Sequence, residues 1–183
     1  MIDIQRLAML SDKDLRQLEI NATNLLNGPR DADAREMLEA IGIERSRRTN
    51  AARVASDAAA ERIRKKVQNL NAEDRIVAAF TDLPPAEWES AAIRALHARP
   101  GATTEELSAD LGYSGTYMNW FGHVCRDREP WLGAALPGTD GKVVYSALLV
   151  DFSPRESSAK GQRVTEWRLK PEAASALRKV GLI

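Results

Sequence analysis

The stretch TTEELSADLGYSGTYMNWFGHVCRD, residues 103–127, decides how this chain folds. Thr103 offers a hydroxyl to the orphan amides of a helix start, and Glu106, three residues on, can return the bond. Leu107 and Leu111 give that helix an inward face, and Gly112 supplies the left-handed position at which it ends. Ser114 is placed to cap a further helix over 115–127. Helical spacing then puts Met118, Phe121, Gly122 and Cys125 inward, with Gly122 where another helix backbone approaches and Cys125 a small buried apolar residue. Thr116, Asn119, Trp120, His123 and Arg126 fall on the outward face. Asn suits adenine, Arg suits guanine, and His is an adaptable donor, so this face has residue types that suit base edges. Trp120 either packs, under a neighbouring loop or against Trp131, or is itself a contact residue.

Helix, short break, helix is a helix-turn-helix arrangement. Upstream, EWESAAIRALHAR (87–99) is amphipathic, with Trp88, Ala95 and Leu96 inward and Pro100-Gly101 closing it. Downstream, KVVYSALLVDF (142–152) and VTEWRL (164–169) have the β-branched and aromatic content of strands. Between them SPRESSAKGQR (153–163) is too polar to bury and reads as a wing loop, with Arg155, Lys160 and Arg163 set against Glu156. Pro171 and Gly181 bracket a last helix in the order that helix ends prefer. The expected fold is mainly α: an N-terminal helical hairpin with a long helix, followed by a winged helix-turn-helix domain with a small β-hairpin. TTEELSADLGYS resembles the first helix and turn of many bacterial helix-turn-helix modules, in its order of Leu, small residue, Leu-Gly and Ser. LGYSGTYMNWFGHVC, with LKPEAASAL later, is similar to C-terminal modules of small bacterial proteins of unassigned function. That resemblance implies that 86–183 is one unit, and it implies no activity.

The first 79 residues differ in kind. All ten aromatics, seven of the eight prolines and nine of the eleven glycines lie at residue 80 or later. A boundary near TDLPPAEW (81–88) follows, giving a helical domain over 1–80 and the winged helix over 86–183. Ser11 with Asp14 predicts a helix start, and Leu15, Leu18, Ala22 and Leu25 continue it to Asn27-Gly28-Pro29. A second helix starts at Asp31 or Asp33, with Ala34, Met37, Leu38 and Ile41 on one face, and runs to about Leu70 either unbroken or interrupted at Gly42 or Thr49-Asn50. The narrow stripe Ala52, Ala55, Ala59, Ile63, Val67, Leu70 suits close contact with the hairpin or with a second copy of the chain.

Basic and acidic residues balance at 26 each, so any case for nucleic acid has to be local. Residues 45–75 have nine basic residues against four acidic, among them Arg62, Arg64, Lys65 and Lys66. These form a solvated face with internal ion pairs, a phosphate-contacting track, or a dock for the acidic N-terminus of another copy. The lone Cys125 excludes an internal disulfide, and on a helix it points about 200° away from His123, so the two make no shared metal site. No nucleophile–base pair or phosphate-binding glycine loop stands out, so neither an enzyme nor a cofactor is expected. With no apolar core of signal length at its start, the chain reads as cytoplasmic. The expectation is a DNA-binding regulatory or accessory protein of a bacterium, phage or mobile element, its partner double-stranded DNA, with a homodimer through the N-terminal helices. The alternative is an adaptor, inhibitor or subunit of a nucleic-acid machine that uses the same face on another protein.

Overall fold

Ser11 starts the first long helix as its spacing predicts. In the computed structural model, which describes residues 4–112, 117–135, 137–138, 141–156 and 163–183, Ser11 Oγ accepts the Asp14 N–H at 3.2 Å and the Asp14 carboxylate accepts the Ser11 N–H at 3.3 Å. After a short helix α1 (Ile4–Leu7), this helix, α2, spans Asp12–Asn24. The chain turns through Asn27, whose φ of 62° is left-handed, and enters α3 (Asp31–Val67). Leu7, Leu15, Ala40 and Ile41 form the buried cluster between them, with Leu10, Leu18 and Met37 half-buried against it.

α3 is unbroken for 37 residues, about 55 Å at 1.5 Å per residue. Neither Gly42 nor Thr49-Asn50 interrupts it: one interior glycine costs about 1 kcal/mol, which the Ala, Arg and Glu around it outweigh. It ends where Arg75 closes it, donating to the carbonyls of Val67 (3.2 Å), Leu70 (3.0 Å) and Gln68 (2.9 Å). Residues 49–59 are all exposed, so Ala52, Ala55 and Ala59 do not pack on the hairpin.

The chain divides into compact units at 1–59 and 60–183, not at the Pro84-Pro85 step. The reason is α4 (Ala72–Asp82), a helix capped by Asn71 that composition alone assigns to the first half. Its Ile76, Ala79 and Phe80, at i, i+3 and i+4, are buried in the same core as Trp167. The rest of this second unit comprises α5 (Glu87–Ala98), α6 (Thr104–Asp110), α7 (Tyr117–Asp127), α8 (Glu129–Leu132), a 3-10 turn (Tyr145–Leu148), β1 (Val150–Glu156), β2 (Arg163–Leu169) and α9 (Pro171–Lys179). α9 lies on α4, where Glu73 accepts from Ser175 Oγ at 2.8 Å and pairs with Lys179 at 2.6 Å.

β1 and β2 pair antiparallel, Val150 opposite Leu169 and Glu156 opposite Arg163. The first strand starts later than 142, because strand conformation needs a partner and β2 reaches back only to Val150. The 3-10 turn precedes it instead; 153–156 and 163 of the expected loop are strand, and 157–162 lie outside the described residues. Ala102 adds one residue of pairing on the other side of β2: Trp167 N–H donates to the Ala102 carbonyl at 3.0 Å, and Gly101 N–H to the Trp167 carbonyl at 2.8 Å. Gly101 has φ 88°, which favours glycine there. No helix among the described residues is long and apolar enough to cross a membrane.

Candidate nucleic-acid interface

α6 begins with the predicted reciprocal cap: Thr103 Oγ1 accepts the Glu106 N–H at 3.3 Å and Glu106 accepts the Thr103 N–H at 2.7 Å. That amide, with Arg155 beside it, holds the Glu106 carboxyl below its ordinary range. α6 then fixes the start of α7. Ser108 Oγ donates to the Thr104 carbonyl at 2.7 Å and accepts the Tyr117 N–H at 2.9 Å.

The buried stripe of α7 is Tyr117, Phe121, Val124 and Cys125, continued past its end by Arg128. Tyr117 donates its hydroxyl to the Ala92 carbonyl at 2.7 Å and meets Trp167 edge-on at 5.7 Å, while Phe121 meets the same indole at 6.1 Å. This cluster phases the helix around Tyr117, so the expected inward position of Met118 is wrong: Met118 is 49% exposed. Gly122 is likewise no site of close helix contact, since nothing lies within 4 Å of where its Cβ would be. Cys125 is fully buried, and burial pushes its thiol upward, away from reactivity.

Asn119, Trp120, His123 and Arg126 are exposed, on the face expected of them. Trp120 packs edge-to-face on Trp88 at 5.3 Å, and the Trp131 indole N–H donates to Asp82 at 3.0 Å. Met118, Asn119, Gly122, His123 and Arg126 form the floor of an open cleft of about 550 Å³, and Lys142–Ser146 form its wall.

The other expected contacts are dispersed. Arg64 bonds Glu129 at 2.8 Å, Lys65 lies 3.9 Å from Glu61, and Lys66 bonds Asp82 at 2.7 Å. Arg62 is exposed and makes no ion pair among the described residues. Arg155 lies on β1, not in the loop, 3.4 Å from both Glu106 and Glu166. Arg163 opens β2, its side chain outside the described residues, and Thr116 and Lys160 lie outside them altogether.

Sequence reasoning did not single out Arg128. It is 1% exposed, its guanidinium 4.5 Å from the centre of the Phe80 ring. Nη1 donates to Glu89 Oε1 (3.1 Å) and the Val124 carbonyl (3.0 Å), and Nη2 to Glu89 Oε2 (3.1 Å) and the Leu83 carbonyl (3.0 Å). Glu89 also accepts the Ala86 N–H at 2.8 Å, so one ion pair joins the ends of α4 and α7 to the start of α5. The signal was available in the spacing 117, 121, 124, 128, which keeps Arg128 on the buried stripe.

Comparison with protein-family models, with curated proteins and with solved structures finds no match.

Proposed function

We propose that residues 86–183 form a winged helix that binds double-stranded DNA, in a cytoplasmic regulatory or accessory protein. The observation that supports this best is the stripe Asn119, Gly122, His123, Arg126. It runs i, i+3, i+4, i+7 along α7, three polar side chains exposed about a glycine that leaves the middle open. Held by α6 at its start and followed by an antiparallel hairpin, α7 has the setting of a helix that enters the major groove. Arg155, Lys160 and Arg163 on and beside the hairpin would take backbone or minor-groove contacts, and Arg62, Arg64, Lys65 and Lys66 would extend the phosphate track.

Binding of the purified chain to random-sequence duplex DNA over a salt series tests this. Micromolar affinity falling steeply with salt is expected, each phosphate contact adding about one unit to the logarithmic slope. Absence of binding at low salt would overturn the proposal for this chain. A protein partner at the same face is the second reading, favoured by the ion pairs that already engage Arg64, Lys66 and Arg155, and by the exposure of Met118 and Val143 (49% each). In either case, dimerisation through the N-terminal helices would present two copies of α7, and the exposed Met9, Ile20, Leu25, Ile43 and Val54 are side chains available for it.

A further inference from the structure

We infer that the cleft over α7 is a binding site for a small organic anion with an apolar body, an aryl or alkyl phosphate or carboxylate, and that its occupation excludes DNA from the same face. The second half rests on the DNA reading above; the first does not.

The cleft, at about 550 Å³, falls within the range that holds small molecules, roughly 300–1,000 Å³. Its lining has a consistent sign. Arg126 and Lys142 border it, with His123 between them as a hydrogen-bonding ring, and among the described lining residues none is an Asp or Glu. Asp127 does engage Arg126, but through Nε alone at 3.2 Å, and it lies outside the lining. The two terminal nitrogens of Arg126 have no partner among the described residues, so the guanidinium keeps its paired donors for a phosphate or carboxylate.

An inorganic anion would use only part of this site. Met118 lies on the floor and Val143 on the wall, each half exposed, with Val144 and Tyr145 beyond. Met is the side chain best able to adapt to an apolar shape, and a ring or chain covering these groups would remove their exposed surface from water. Asn119 adds a donor and an acceptor to the lining. Because Asn119, His123 and Arg126 are also the residues proposed to meet DNA, ligand and duplex compete for the same atoms.

The test uses the full chain with methyl-labelled methionine and phenyl phosphate as the probe. The Met118 methyl resonance is expected to shift on titration while those of Met9 and Met37, in the first unit, stay in place. Phenyl phosphate should bind at least ~10-fold more tightly than inorganic phosphate, the ratio expected if much of one ring face is covered. Val143→Asp, at a half-exposed wall position, should abolish the shift. A silent Met118, or equal affinity for inorganic phosphate, would overturn the site. Fluorescence anisotropy of a labelled duplex then separates the two proposals. If DNA binds and phenyl phosphate displaces it, both stand. Simultaneous binding of the two overturns the competition. A shift at Met118 without any DNA binding leaves the anion site and removes the DNA reading, and DNA binding with Met118 silent does the reverse.

Discussion

The two units of this chain hold their helices by different means. In 1–59 the buried apolar cluster is four residues, none larger than leucine and one an alanine, and there is no aromatic side chain. Arginines supply much of the rest. Arg48 reaches Glu44 and Asp12 at 2.7 Å each and the Leu10 carbonyl at 2.7 Å, and Arg45 meets Glu19 with two bonds of 2.9 and 2.8 Å. In 60–183 the core gathers five buried aromatic residues (Phe80, Tyr117, Phe121, Trp131, Trp167) with five buried leucines (Leu96, Leu107, Leu149, Leu169, Leu177) around them. Where apolar volume is scarce, charge-assisted bonds fix the helices; where it is plentiful, one buried ion pair suffices to set their ends. The comparison teaches that the same residue type, arginine, is peripheral support in one unit and a core component in the other.

The largest expected effect breaks that contrast at Arg128. Arg128→Ala leaves Glu89 buried without its partner and should cost about 3–5 kcal/mol. Because every tryptophan lies in the second unit, the denaturant midpoint followed by Trp fluorescence should fall accordingly. An unchanged midpoint would mean that the pair is solvated and the core purely apolar. A smaller change is expected at Thr103→Ala, which removes the hydroxyl from the α6 cap: about 1 kcal/mol by the same fluorescence transition. No loss there would show that the packing of Leu107 alone defines the start of α6.

The smallest effect sharpens the contrast from the other side. Arg47 and Arg48 hold the Glu44 carboxyl down at about 2, against an ordinary 4.5. Its contribution is therefore complete above pH 4.5 and is lost as the pH falls toward 2. Glu44→Gln should lower stability at neutral pH, and its difference from the natural chain, followed by far-UV circular dichroism, should close as the pH reaches 2. A difference that persists to that pH would show that Glu44 acts through packing and not through charge.

Much of this architecture was legible because it is locally encoded. The caps at Ser11 and Thr103, the stop at Gly112 (φ 66°) and the end at Gly181 (φ 74°) are where short-range chemistry places them. What was not legible depended on contacts distant in sequence. The placement of α4 rests on Ile76, Ala79 and Phe80 finding α9 and the aromatic core, about 100 residues on in the case of Glu73 and Ser175. The phase of α7 was missed by one residue because Tyr117, not Met118, finds the Ala92 carbonyl and Trp167. At the candidate site, periodicity assigned Asn119, Trp120, His123 and Arg126 to an exposed face, but it had no means of placing Lys142–Ser146 beside them. That wall follows a connection whose course no repeat or cap announces.

Ser108 spans two helices with one hydroxyl, giving its hydrogen to the Thr104 carbonyl and receiving that of the Tyr117 amide. The first amide of a helix has no partner within the helix and ordinarily faces solvent. Here its protection comes from the preceding element, so its rate of hydrogen–deuterium exchange measures how often α6 and α7 separate. One backbone proton thus serves as a clock for the presentation of the face that carries Asn119, His123 and Arg126.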